Sequence, residues 1–185
     1  MRIYFNSSFS CGKTTAKKWV ASAYKLEKIP EIFRTVIAER EFTDLNTLRA
    51  NVDLLTEVQI ETIQRQFDFE YKIRNNFAAC RGIDTLAFLI EFGDKNKIAK
   101  YLQSKEVNDY VNWLKEEDVK TFLIKPEKEL IKADGLRDTD WDLSLQIYGS
   151  VKSILSYYGI PYIPITSPNM ADRQAVIKAT LGEPK

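Results

Sequence analysis

The stretch Arg2-Ile3-Tyr4-Phe5-Asn6, followed by Ser7-Ser8-Phe9-Ser10-Cys11-Gly12-Lys13-Thr14-Thr15, decides how the rest of the chain is read. Strand-forming residues run into a turn of small residues, then into Gly-Lys-Thr. Ala16, Trp19, Val20, Ala23 and Tyr24 follow at helical spacing. Strand, small-residue bend and helix start are the context of a phosphate-binding loop. Such a loop turns backbone N–H groups and the unpaired donors of a helix N-terminus onto an anion. Residues Ser7, Ser8, Phe9, Ser10, Cys11, Gly12, Lys13, Thr14 and Thr15 are therefore the expected nucleotide cradle. Lys13 is expected along the outer phosphates, with the Thr14 hydroxyl on Mg²⁺. Ser7 departs from the pattern G-x-x-x-x-G-K-[ST], because it stands at the first glycine. Serine enters positive φ less easily than glycine, and its hydroxyl is available to join the cradle.

The totals narrow the remaining possibilities. The 185 residues suffice for one domain with a sizeable core, and 44% apolar and 29% charged residues are ordinary for a globular chain. With 27 basic and 26 acidic residues the net charge is +1, which gives no support to a broad nucleic-acid footprint or a polybasic membrane surface. No apolar run approaches the roughly 20 residues of a membrane span. Two cysteines, Cys11 and Cys80, are too few for a disulfide framework, and a cytoplasmic location is the expectation. The chain has no histidine, so its chemistry must use carboxylates, Lys, Arg and Mg²⁺.

Further along, strand-like and helical patterns alternate. A short second strand ends near Pro30, and Glu31 and Arg34 lie at the start of the next helix, on one face. A long helix from about Asp53 to Arg74 carries the stripe Ile60, Ile63, Phe67 and Tyr71. Its other face holds Gln59, Gln64, Gln66 and Glu70 and is expected to be mostly solvated, although glutamines suit the reading of substrate edges. Phe77 to Cys80 reads as a buried strand followed by Arg81, Gly82, Ile83, Asp84 and an apolar helix from Thr85 to Phe92. The segment from Gly93 to Lys97 reads as a turn. Val119 to Ile124 reads as another buried strand, and Ile160 to Ile165 as a last one whose prolines suit an edge. Helices are expected around Val107 to Leu114, Leu143 to Tyr158 and Asn169 to Leu181.

The alternation predicts a three-layer α/β/α P-loop fold with a mainly parallel sheet of about five strands. Residues 1–185 are expected to form one domain, with a mobile charged lid at about 126–140. Ligands of such sheets gather at the carboxyl ends of the strands. Glu31, Arg81 and the segment from Lys125 to Arg137 each follow a strand end, which places them beside the loop.

The order of these motifs resembles the small P-loop kinases of the nucleoside/nucleotide kinase superfamily, most closely the phage and bacterial AAA-type ATPase/kinase domains related to ribosylnicotinamide kinase. The matching positions are Ser7 to Thr15, Pro30-Glu31-Ile32-Phe33-Arg34, Gln64 and Gln66, Arg81 with Asp84-Thr85-Leu86-Ala87-Phe88, Leu123-Ile124-Lys125-Pro126, Asp134-Gly135-Leu136-Arg137, and Asp172-Arg173. The resemblance implies ATP and Mg²⁺ as cofactors and a nucleoside-like acceptor. It implies Glu31 as general base or substrate anchor, and Arg34 and Arg81 as groups that orient the substrate and neutralise charge. Arg137 would be the lid arginine, Arg173 would flank the nucleotide base, and Asp84 belongs with the substrate-binding set. One departure is Cys80, where the family carries an acid before the arginine. A thiol is a poor Mg²⁺ ligand. Either Glu31 or Asp84 takes over, or Thr14, phosphates and water hold the ion.

Two other functions compete. Some phage relatives phosphorylate hydroxymethylated pyrimidines within DNA, and Lys95, Lys97, Lys100, Lys125, Lys128 and Lys132 are the candidate track for such an acceptor. The other is a nucleotide-dependent NTPase or switch that phosphorylates nothing.

Overall fold

The computed structural model describes residues 1–42, 45–131 and 139–184. Strand β1 (Arg2–Asn6) is its centre, buried along its whole length. It pairs in parallel with β3 (Phe77–Ala79) on one side and β4 (Val119–Ile124) on the other. Strand β2 (Glu27–Lys28) extends the sheet beyond β3, and β5 (Ile163–Ile165) extends it beyond β4. All four pairings are parallel and the order is β2-β3-β1-β4-β5. The sheet is the expected five-stranded parallel one. β5 lies at an edge, where the missing N–H of Pro164 disrupts no inner ladder.

Successive residues of a strand point to opposite faces, so β1 feeds two cores. Ile3 and Phe5 face helices α1 (Lys13–Ala23) and α9 (Met170–Leu181), in a cluster with Val20, Phe122 and Ile177. Tyr4 faces the other layer, with Ile63, Leu86, Leu89, Tyr110, Trp113 and Val151. That layer holds α4 (Val52–Ile73), α5 (Asp84–Phe92), α7 (Lys105–Leu114) and α8 (Trp141–Tyr157). A third small cluster joins α2 (Ile32–Glu39) to α4 through Val36, Ile37, Leu55 and Val58.

Three expectations change. The segment from Gly93 to Lys97 is not simply a turn: Asp94 accepts from the N–H groups of Asn96 and Lys97 and caps α6 (Lys95–Leu102). Tyr71 stacks near Phe67 and Trp113 but is 49% exposed, so the stripe on α4 ends at Phe67. The polar face of α4 is not a solvated one. Gln59, Gln66 and Glu70 are all buried, and Gln64 alone of the four reaches the outside, where it donates to Glu106. The reason is that α4 is covered by α5 and by α2 with the short α3 (Leu45–Arg49), while its later turns lie against Tyr4 of β1 and Tyr110 of α7. Residues 132–138 of the expected lid, Arg137 among them, lie outside the described residues; its first part holds a 3-10 turn, Lys128–Leu130.

Candidate functional site: a phosphate loop opening into an arginine- and phenylalanine-lined cavity

The chain leaves β1 at Asn6 and bends into the loop. Left-handed backbone occurs at Ser10 (φ 53°) and Gly12 (φ 86°), and Ser7 is not among the positive-φ residues. That explains the tolerance of serine at the first glycine position. Its hydroxyl does not join the cradle as expected; it donates to the Ile124 carbonyl on β4 at 2.5 Å. The Ser8 hydroxyl is likewise engaged, 2.7 Å from Ser144 on α8. Both serines are fully buried and fasten the loop to β4 and α8. Gly12 is the N-cap of α1 and offers no side-chain cap, which leaves the first N–H groups of that helix open toward a ligand.

Gly12 also permits a close approach. A Cβ there would sit 2.6 Å from Nη1 of Arg173. Arg173, expected beside a nucleotide base, instead braces the loop from behind. Its Nη1 donates to the Cys11 carbonyl at 2.7 Å and its Nε to the Ser167 carbonyl at 2.8 Å. It is only 2% exposed. Gly12→Ala therefore combines an unfavourable φ with a clash. We expect a loss of about 1–3 kcal/mol in stability and weaker nucleotide binding, measured by thermal melting with and without MgATP.

Lys13 folds onto the loop. Its Nζ donates to the Ser7 carbonyl at 3.0 Å and to the Ser8 carbonyl, and lies 3.6 Å from the Asp84 carboxylate. Asp84 has no solvent exposure. It accepts from Gly82 N–H at 2.9 Å and from Ser7 N–H at 3.5 Å. The Thr14 hydroxyl is 3.7 Å from the Cys80 sulfur. Burial pushes the Cys80 thiol up from its ordinary value, so it stays protonated near neutrality.

A cavity of about 400 Å³ opens on this loop. Phe9 and residues 10–15 form its phosphate side. Phe33, Phe88 and Phe92 with Ile37 and Leu55 form an apolar wall, and Glu31, Arg34, Arg49, Arg81, Gln59 and Cys80 supply the polar groups. Of the site residues expected from sequence, the structure thus brings together the loop from Phe9 to Thr15, Glu31, Arg34 and Arg81. It sets Ser7, Ser8 and Asp84 directly behind them and Arg173 underneath. Glu31 and Arg34 pair at 3.1 Å. The Arg81 guanidinium lies 4.7 Å from the Phe88 ring centre and 5.6 Å from that of Phe33, within reach of cation–π attraction. Sequence reasoning did not single out Arg49, which lies 4.7 Å from the Phe92 ring. Nor did it place Gln59 in the cavity, where it is buried with its Oε1 unpartnered among the described residues. Neither carries a local signal, because each stands among other polar residues, Thr47 and Asn51 near Arg49 and Glu57 and Glu61 near Gln59.

The candidate DNA track is partly neutralised. Lys97 pairs with Asp53 at 3.0 Å and lies 3.6 Å from Glu57, and Lys125 is 3.7 Å from Glu127. Lys132 lies outside the described residues. No described helix is long and apolar enough to cross a membrane.

A parallel sheet with a Gly-Lys-Thr loop at the carboxyl end of its central strand defines a P-loop α/β fold. A family model described as an AAA domain matches residues 2–173, and the chain belongs to that family. No curated protein matches it in sequence. Among solved structures it is similar to NadR protein in complex with NAD and AMP-PNP (TM-score 0.69, 12% identity). That match covers 98% of this chain and 49% of the other, so the chain spans about half the length of the NadR structure. It is also similar to deoxyadenosine kinase from M. mycoides with bound dATP (TM-score 0.60, 14% identity, 97% of this chain and 99% of that one). A third is YorR protein from Bacillus subtilis in complex with phosphorylated GDP (TM-score 0.56, 12% identity, 98% and 96%).

Proposed function

We propose that this chain is an ATP- and Mg²⁺-dependent kinase that transfers the γ-phosphoryl group to a nucleoside, nucleotide or related small acceptor. The observation that carries the proposal is the continuity of the cavity. One end is the open terminus of α1 with Lys13 and Thr14; the other is a phenylalanine wall with Glu31, Arg34, Arg81 and Gln59. Phosphoryl transfer asks for positioning and charge stabilisation more than for covalent chemistry, and these groups supply both. Of the similar structures, the deoxyadenosine kinase holds dATP and a second NadR protein structure holds NR, which fits an acceptor of that class.

The roles follow from the chemistry. Lys13 exchanges its carbonyl acceptors for the outer phosphate oxygens. Thr14 would hold Mg²⁺ through its hydroxyl oxygen, and the ion would supply charge neutralisation at the phosphates. Among the described residues no three Cys, Asp or Glu side chains gather into a ready-made cage, so a site completed by the nucleotide suits this donor set. Glu31 accepts the acceptor's proton or anchors its hydroxyl. Arg34 and Arg81 carry the charge of the transferring group. Gln59 offers a carboxamide whose acceptor oxygen lacks a partner among the described residues, matched to a planar ring with a hydrogen-bond donor on its edge. A lid at about residues 126–140 would close over the phosphates with Arg137.

ADP release from MgATP, measured against a panel of nucleosides and monophosphates, tests this reading. Stimulation by one chemical class supports it. Hydrolysis insensitive to the whole panel would support an NTPase that transfers to water alone. For the acceptor found, Gln59→Leu is expected to raise its KM about tenfold to a hundredfold, with the KM for ATP unchanged. An equal rise in both constants would remove Gln59 from the acceptor side.

A further inference from the structure

Behind the cavity lies a buried polar network that the proposed reaction does not touch. Gln66 and Glu70, one turn apart on α4, are 3% and 0% exposed, in a layer made mostly of aliphatic and aromatic side chains. Burial without partners is costly, so each bond of such a group has a destination. The Gln66 amide nitrogen donates to the Arg81 carbonyl at 2.7 Å and to Oε1 of Glu70 at 2.8 Å. A carbonyl only accepts, which fixes the orientation of the amide and uses both of its hydrogens. Oε2 of Glu70 accepts from the Tyr4 hydroxyl at 2.6 Å, and that hydroxyl accepts from the Trp113 indole at 2.9 Å. The Tyr110 hydroxyl stands 3.5 Å from Oε1.

The same tyrosine meets the loop a second time. A Cβ on Gly82 would be 2.9 Å from Cδ1 of Tyr4, so only glycine lets the backbone next to Arg81 lie on that ring. The contacts close a ring: Tyr4 to Glu70, Glu70 to Gln66, Gln66 to the Arg81 carbonyl, and Gly82 back to Tyr4. Gly82 N–H adds its bond to Asp84. Arg81 itself has few polar restraints of its own. Its Nε is buried without a hydrogen-bond partner among the described residues, and its described side-chain contacts are the rings of Phe33 and Phe88.

We propose that Gln66, held by Glu70, is a positioning residue that fixes the Arg81 backbone and thereby aims the Arg81 guanidinium into the cavity. The consequence for turnover rests on the kinase reading; the geometric part does not. Burial pushes the Glu70 carboxyl up to about 8 despite its three hydrogen-bond donors; in the protonated form Oε2 carries the proton toward the Tyr4 oxygen, and Oε1 still accepts from Gln66. An amide at this position therefore resembles the native group. An arginine set by its backbone from behind needs no polar partner that would compete with an incoming phosphoryl group. Displacement of such a group by about 1 Å is enough to cost two orders of magnitude in rate.

The test follows the Arg81 Nε–Hε signal in ¹⁵N-arginine-labelled protein, assigned by its loss in Arg81→Lys. Gln66→Met keeps the length of the side chain and removes both donors. It is expected to shift or broaden the Arg81 signal, because the ring currents of Phe33 and Phe88 then act on a less defined position. Glu70→Gln keeps an oxygen facing Gln66 and is expected to leave that signal in place. In the same proteins, ADP release from MgATP is expected to fall about tenfold to a hundredfold in Gln66→Met, with the KM for ATP within about threefold. The loss should be much smaller when Gln66→Met is added to Arg81→Lys. Should Gln66→Met not fold, Gln66→Asn, which draws the amide back by one methylene, is read in the same way. An Arg81 signal unmoved by loss of the Gln66 amide, with only the melting temperature lowered, overturns the proposal. So does loss of the signal in Glu70→Gln. Absence of turnover in the unmodified protein contradicts the kinase reading alone, since the spectroscopic result stands without it.

Discussion

Lys13→Ala is expected to lower ADP release from MgATP by at least a hundredfold to a thousandfold, the scale on which loss of one transition-state charge partner acts. The structure adds a consequence that the loop motif alone does not contain. Lys13 Nζ is the ammonium 3.6 Å from Asp84, a carboxylate with no solvent exposure. Its removal leaves that carboxylate with the N–H groups of Gly82 and Ser7. A cost of about 1–3 kcal/mol in stability is therefore expected alongside the lost turnover. The two effects separate in the double variant Lys13→Ala with Asp84→Asn. It should regain melting temperature, because the unpaired charge is gone, and it should not regain turnover. Recovery of turnover would mean that Lys13 matters only as the partner of Asp84.

The second large effect is expected at Glu31. Replacement by Gln keeps the size of the side chain and removes its basicity. Turnover is expected to fall by about 10²–10⁴, the usual contribution of a positioned general base, with ATP affinity within about threefold. Stability should barely move. Glu31 and Arg34 are partly exposed, and such a pair contributes at most about 1 kcal/mol. A kcat preserved with a raised KM for the acceptor would make Glu31 an anchor and take the base role from it.

What was legible in the sequence was what short-range chemistry writes down. The loop from Ser7 to Thr15 announces itself because strand, small residues, Gly-Lys-Thr and helix must follow within a few positions. β4 and β5 were legible from their apolar runs and prolines, and Glu31 and Arg81 from their places just after strand ends. What stayed hidden depends on how the layers close. The polar face of α4 reads as solvated, since nothing local says that α2 and α5 will cover it. Gln66 and Arg81 are 15 residues apart, with no periodicity linking them. Arg173 reads as a ligand contact, yet the approach of α9 to Gly12 turns it into a brace for the loop. Ser7 reads as a defect in the motif. Its backbone needs no left-handed turn, and its hydroxyl has a carbonyl waiting on β4.

Turnover in this cavity depends first on the grip of the loop on a triphosphate. Calorimetric titration of the full chain with Mg²⁺ and AMP-PNP measures that directly. We predict saturable binding with one site per chain, lost in Lys13→Ala and weakened in Gly12→Ala. Heat changes indistinguishable from dilution, from protein shown to be folded, would contradict it.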